Sequence, residues 1–336
     1  MRTLILILAK SRKGGATLKR NKVRTGVSYL SSHNPKHIRA DLEEIKSLGC
    51  DDILLAAQEN DFLYFPGKLK FLPEIAKEYG IRPIAVFWGA INYFGGGRSS
   101  QFLLYNPQTH QVNKDGSYNP AGCYNNPQAV GFIKKLIDEI AEYGFCGYFI
   151  DEPSLLDCYC PSCCELFEKM FSAKLQDANY TAYNQFRKKC AINYVEDISD
   201  YIKTKFPKIE TMCCVMPQDQ VLWPQIAKIQ SLDNLGTDIY WVNNDQDAEL
   251  TRPLIREIAG YCQTNQKKHH QWLQAWGVEK GREAKIKAQA EIIINENPDS
   301  LYVWAYNGQL GTSETCEDPG LSWQTACEIL KSVKHL

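Results

Sequence analysis

From Val23 onward, the hydrophobic positions fall into two alternating rhythms. Short apolar runs of strand length occur at residues 25–29, 53–57, 82–88, 147–150, 210–215, 237–241, 271–275 and 301–304. Each is followed by a stretch with apolar residues at helical spacing, at 38–48, 69–79, 129–143, 183–206, 223–232, 254–262, 284–294 and 323–333. Eight strand-helix pairs in this order predict a (β/α)8 barrel, the TIM fold, with residues 23–336 as one catalytic domain. Gly49, Gly80 and Gly144 each stand just after a predicted helix and shortly before a strand, where a left-handed cap ends a helix. There is no internal repeat beyond the β/α unit and no low-complexity tract.

The connections after the strands are longer than those before them, notably 89–128, 153–181 and 307–321. In this fold the loops at the strand C-termini build active sites, so the asymmetry points to an enzyme. The run Gly95, Gly96, Gly97, Arg98 opens no helix and reads as a loop tip, not a phosphate cradle. Residues 1–22 read as a basic extension with one added strand at 4–8. That apolar run is too short to span a membrane and makes a poor signal peptide. The expectation is a cytoplasmic protein with no membrane partner.

Composition narrows the picture further. With 38 Lys and Arg against 39 Asp and Glu, the net charge of -1 offers nothing global to nucleic acid. Thirteen cysteines is an odd number, so a fully paired disulfide framework within one chain is excluded. Most of them, such as Cys50, Cys146 and Cys262, read as small buried apolar residues.

The densest chemistry lies at the fourth strand. Tyr148, Phe149 and Ile150 end in two adjacent carboxylates, Asp151 and Glu152, and Pro153 then forbids further pairing. Paired carboxylates suit glycosidic-bond cleavage, which needs an acid for the leaving oxygen and a second group for the oxocarbenium-like carbon. Two neighbours in sequence cannot flank a sugar ring as nucleophile and acid, roles that need about 5 Å between carboxyl groups. They suit action on one side, with the sugar's own 2-acetamido oxygen as nucleophile.

In this the Asp-Glu-Pro triplet at a fourth-strand end resembles glycoside hydrolase family 123, β-N-acetylgalactosaminidases. The resemblance implies that Asp151 holds the acetamido N–H and that Glu152 is the acid/base. Tyr240 is then the hydroxyl that bonds the acetamido oxygen, as in the barrel N-acetylhexosaminidases this chain resembles. A strand ending at 241 puts Asp238 and Tyr240 on one face and Trp241 at the rim. Trp88, Trp276, Trp304 and Tyr306 fall at or just past strand ends and read as a sugar box. Glu59, Asp61, Asn92 and Gln274 are the candidate hydroxyl-binding polars.

A second resemblance is to the clan-A retaining glycosidases, β-galactosidases among them, with Glu152 as acid/base. Those enzymes carry Asn before that Glu and a nucleophilic Glu at the seventh strand's end. Here Asp151 and the triplet Gln274, Ala275, Trp276 stand at those places, with Glu279 three residues further on. A carbohydrate-binding barrel without catalysis is the non-enzymatic alternative.

Cys158, Cys160 and Cys163 follow the acids in C-x-C-x-x-C spacing, which wraps one soft metal ion. Three thiols need a fourth ligand. Family 42 β-galactosidases, which the layout resembles, imply Cys123 from the preceding loop and a structural zinc, since four thiolates leave no open position. No motif calls for an organic cofactor, and nucleophile elbows are absent. The partner expected is an oligosaccharide or glycoconjugate.

Overall fold

The computed structural model describes residues 22–92 and 100–334, and of Asn92 only the backbone. The predicted strand at 4–8 and the 95–98 loop tip lie outside the described residues, as does all but the last residue of the 1–22 extension.

Eight strands close into a barrel: β1 (Arg24–Tyr29), β2 (Asp52–Ala57), β3 (Arg82–Phe87), β6 (Gly147–Asp151), β7 (Glu210–Cys214), β8 (Asn234–Thr237), β9 (Lys268–Gln274) and β10 (Ser300–Trp304). Neighbours in the barrel are neighbours in barrel order along the chain, and the pairings are parallel, as between β1 and β2, β6 and β7, and β9 and β10. The chain is therefore the (β/α)8 barrel that its periodicity predicts. Side chains of β6 are buried along its whole length, as befits a strand covered on both faces. Gly49, Gly80 and Gly144 take φ of 80, 65 and 85°, each ending a helix as expected. Among the described residues no helix is long and apolar enough to cross a membrane.

Two predicted elements come out differently, and one unpredicted element appears. The sixth barrel strand ends at Thr237, not at 241. Gly236 pairs with His270, and a Cβ there would lie 2.2 Å from the His270 carbonyl oxygen and 2.4 Å from its ring. The strand is thus placed by a glycine that admits the buried His270, whose Nδ1 lies 2.8 Å from Asn234 Oδ1. The apolar, aromatic residues after it follow as loop despite their strand propensity. The helix expected at 223–232 is one turn, Trp223–Ile226. Beyond it Lys228 and Ile229 bond the carbonyl three residues back rather than four. The loop after β3 contains an unpredicted antiparallel hairpin, β4 (His110–Val112) with β5 (Tyr118–Gly122). Its turn is closed by Asn113 N–H to Ser117 O at 2.8 Å, with Gly116 at φ 86°.

The described residues pack as two compact units. One comprises residues up to 56, 70–84 and 234 onward. Inside it Asp52, fully buried at the start of β2, accepts from Arg24 Nη2 at 2.5 Å, Arg82 Nε at 2.9 Å and Tyr302 Oη at 3.2 Å. The other comprises 57–69 and 85–233, the latter without its undescribed stretch. Its barrel-side aromatics form a chain in which Phe62 and Tyr148 meet Phe87 edge-on at 5.7 and 4.7 Å.

Candidate active site

Asp151 is the last residue of β6, paired with Cys214 and only 7 % exposed. Strand alternation would send Glu152 to the opposite face. Instead Glu152 takes φ 42°, in the left-handed region, which for a non-glycine residue costs about 1–3 kcal/mol. That turn, with Pro153 behind it, breaks the alternation at the residue where it matters. Among the described residues no cation and no hydrogen-bond donor reaches either carboxylate. Burial pushes the Asp151 carboxyl well above the usual range, and the neighbouring Glu152 charge adds to the effect.

The backbone beyond the acids is tied down by residues that carry no signal in the sequence. Tyr124 Oη donates to Ser154 O at 2.5 Å and accepts from Ser154 N–H at 3.2 Å. Arg187 donates to the carbonyls of Leu156 at 3.0 Å and Leu155 at 3.3 Å. Burial also raises Asp219, which accepts a hydrogen bond from the Leu155 N–H.

The loop then enters the cysteine cluster. The sulfurs of Cys123, Cys158, Cys160 and Cys163 all lie within 4.8 Å of one another, in buried positions, with Cys123–Cys163 at 3.4 Å and Cys123–Cys160 at 3.5 Å. Zinc–sulfur bonds of about 2.3 Å in a tetrahedron put sulfurs about 3.8 Å apart, so the donor set and spacing fit one such ion. The N–H groups of Val112 and Cys160 each point at Cys158 Sγ from 3.4 Å, which favours thiolate. Asn125, another residue without a sequence signal, donates to Cys163 Sγ at 3.2 Å and to Cys190 Sγ at 3.1 Å. Cys164 turns away and bonds the Tyr159 carbonyl. Cys123 arrives on the hairpin just past β5, and Tyr159 N–H bonds Val112 O at 2.7 Å, so hairpin and loop are joined twice.

The polar residues after β2 have structural partners. Glu59, 5 % exposed, accepts from Ile91 N–H and Ser100 Oγ, both at 2.6 Å, and from Phe102 N–H at 3.2 Å. Asp61 accepts from Gln58 N–H at 3.0 Å and pairs with the buried Lys68 at 3.3 Å. Both oxygens of each carboxylate take part in these loop contacts. Trp88 is half-buried, its backbone N–H donating to Ala57 O at 3.1 Å. The side chain of Asn92 lies outside the described residues.

In the other unit, Tyr240 is half-buried and meets Trp276 edge-on at 5.2 Å. Asp238 is buried just past β8, and Lys285 Nζ sits 5.3 Å over the Trp241 ring. Because β8 stops at Thr237, period 2 no longer assigns Asp238 and Tyr240 to one face. Gln274 is locked, its Oε1 accepting from Val242 N–H at 3.0 Å and its Nε2 donating to Trp276 O at 3.2 Å. Glu279 is ion-paired with Arg282 at 2.7 Å and largely exposed. Trp304 is buried against Trp272 at 5.6 Å. The Tyr306 hydroxyl lies 2.8 Å from Glu44 and 3.1 Å from Asp41, on the helix Pro35–Ser47, and its ring packs on Trp323 at 4.9 Å. These contacts tie that helix to the segment just past β10.

No protein-family model and no curated protein matches the chain. Solved structures do. A β-galactosidase from Halorubrum lacusprofundi is similar over 94 % of this chain and 58 % of its own, with a TM-score of 0.72 at 14 % identity. A β-galactosidase from Marinomonas ef1 gives 0.72 at 10 %, over 93 % of this chain and 60 % of its own. An endo-β-1,4-mannanase from Thermotoga petrophila gives 0.61 at 13 %, over 95 and 78 %. At such identities the likeness establishes a shared fold, and this chain spans about three fifths of the two β-galactosidases.

Proposed function

We propose that this chain is a retaining glycoside hydrolase that releases β-linked N-acetylhexosamine by substrate-assisted catalysis, with N-acetylgalactosamine the sugar its family 123 resemblance implies. The observation that carries the reading is a pairing of presence and absence. Two unpartnered carboxylates, Asp151 and Glu152, stand together at the fourth strand's end, while the seventh strand ends in Gln274, an amide already bonded at both ends. Among the described residues the end of that strand supplies no carboxylate nucleophile, and the substrate's acetamido oxygen fills that role. The β-galactosidase and mannanase likenesses support a sugar as the substrate class.

Asp151 accepts the acetamido N–H and turns the carbonyl oxygen toward the anomeric carbon. As the glycosidic bond breaks, Glu152 gives its proton to the leaving oxygen, and the acetamido oxygen closes the oxazolinium ring. Positive charge then develops beside Asp151. The burial that raises its pKa strengthens the attraction at that moment. Glu152 next takes a proton from water, which opens the ring from the face the leaving group left and restores the β configuration. The resemblance to the barrel N-acetylhexosaminidases implies Tyr240 as the hydroxyl for the acetamido oxygen. Cys123, Cys158, Cys160 and Cys163 would hold one zinc with a closed shell, fixing the loop that follows Pro153 and touching no substrate atom.

A panel of nitrophenyl β-glycosides with and without the 2-acetamido group tests the reading. Turnover should require the acetamido group, and a thiazoline mimic of the oxazolinium should inhibit strongly. Comparable turnover of plain β-galactosides would favour the clan-A alternative. Glu152→Gln should cost little with a nitrophenol leaving group and much with natural glycosides.

A further inference from the structure

The two short helices at the mouth of the second unit display aromatic residues that the chemistry above does not use. Tyr64, at the end of the helix Glu59–Tyr64, is 62 % exposed, and Tyr105, at the end of the helix Gln101–Tyr105, is 78 % exposed. Gln101 and Tyr105 are four apart and share one helix face. Gln101 Nε2 donates to Tyr64 Oη at 2.8 Å, which links the face carrying Tyr105 to the first helix.

Exposed side chains are ordinarily free to move, yet this set is braced from below. Glu59 begins the first helix, and its carboxylate accepts from Ser100 Oγ and Phe102 N–H at the start of the second. The capping contact of Asp61 with Gln58 N–H and the buried Asp61–Lys68 pair fix the first helix again. On the second, Phe102 stacks on Phe132 at 4.2 Å. A nearly buried carboxylate with three donors is a costly device to hold two solvated tyrosines in register. The two helices follow strands β2 and β3, and the acids stand at the end of β6, so all belong to the same end of parallel strands.

We propose that Tyr64, Gln101 and Tyr105 form a platform that binds a saccharide unit beyond the bond being cut, the tyrosine faces stacking on sugar C–H surfaces and the amide bonding a hydroxyl. The substrate is then an extended glycan, not a monosaccharide on a small aglycone. The proposal rests on the glycosidase reading for its ligand class, and its test separates the two.

With a tetrasaccharide of β-linked N-acetylhexosamine, Tyr64→Ala and Tyr105→Ala should each raise KM about fivefold and leave kcat unchanged, a size set by the worth of one aromatic contact. Nitrophenyl N-acetylhexosaminide kinetics should not move, and Tyr105→Phe should behave as wild type. Calorimetric titration of the same tetrasaccharide into Glu152→Gln should weaken by a similar factor when Tyr105→Ala is added. Unchanged KM and affinity in both alanine variants would overturn the platform while leaving the hydrolase reading standing. If no 2-acetamido substrate is cleaved but mannan or galactan oligosaccharides bind in a Tyr105-dependent way, the platform stands and the hydrolase reading falls. Concentration-dependent dimerisation abolished by Tyr105→Ala would also overturn it, since the tyrosines would then serve a second copy.

Discussion

Asp52 and Asp151 are both buried aspartates on barrel strands, one opening β2 and the other closing β6, and the protein surrounds them in opposite ways. Asp52 meets two guanidinium groups and a tyrosine hydroxyl, so its charge is met from several sides. Among the described residues Asp151 meets no cation, and burial together with the Glu152 charge drives its pKa up. Next to it the backbone holds Glu152 in a left-handed conformation that no local sequence preference favours. Burying a charge with partners is a way of fixing a strand. Burying one without them, beside backbone strain, is sustained where the site uses it.

The sharpest way to break this contrast is activity. Asp151→Asn should lower kcat/KM toward 2-acetamido β-glycosides by about a thousandfold or more, with nitrophenyl leaving groups included, because nucleophile formation itself is weakened. Asp52→Asn should leave turnover per folded molecule within about twofold. An Asp52 variant that folds but is inactive would erase the distinction.

Stability should sort the pair the other way. Asp52→Asn leaves Arg24 and Arg82 without their shared carboxylate, and denaturant unfolding should show a loss of about 3 kcal/mol. That is the low end of the range for broken buried pairs, because both arginines are partly exposed. An unchanged midpoint would make the pair dispensable.

The loop beyond Asp151 gives a smaller effect. Protein purified without added metal should carry close to one equivalent of zinc, and Cys160→Ser should lose it along with several degrees of Tm and part of the activity. A metal-free preparation with full activity and unchanged melting would leave the four cysteines as packing residues.

The smallest effect is the stability of Asp151→Asn itself. A carboxyl whose pKa is raised on folding holds its proton more tightly in the folded chain than in the unfolded one. Stability is therefore lost as pH rises from about 4, the ordinary aspartate value, through the raised value, and the loss persists above it. The asparagine variant escapes that loss, so it should melt higher than wild type at pH 7 and alike near pH 3. A lower Tm at pH 7 would mean that Asp151 has a stabilising partner.

His269 titrates oppositely. Burial draws it down to about 4, so it contributes stability above the ordinary histidine range that is lost as pH falls through the folded value.

Much of this was legible before any coordinates. The barrel follows from the alternation of short apolar runs with helical stretches, and the acids declare themselves because an apolar strand ends abruptly at Asp151, Glu152 and Pro153. C-x-C-x-x-C spacing marked three of the four thiols, while Cys123 entered only through resemblance. Other contacts are ones the chain could not state locally. Glu59 and Asp61 look like loop polars free for ligand until the loop after β3 and Lys68 take up their oxygens. Tyr306 looks like a rim aromatic until its hydroxyl meets Glu44, 262 positions away.

By itself, then, the sequence determined the order of strands and helices, the helix-ending glycines and the adjacency of the two acids, because each depends on period, propensity or covalent neighbourhood. Only the tertiary structure decided where β8 stops, which way Tyr306 points, that Asn125 and Tyr124 brace the acid loop, and that Glu59 clamps two helices. Those outcomes turn on space and hydrogen-bond partners supplied by distant segments. At Gly236 it is the backbone and ring of His270, across the β8–β9 pairing, that leave no room for a side chain.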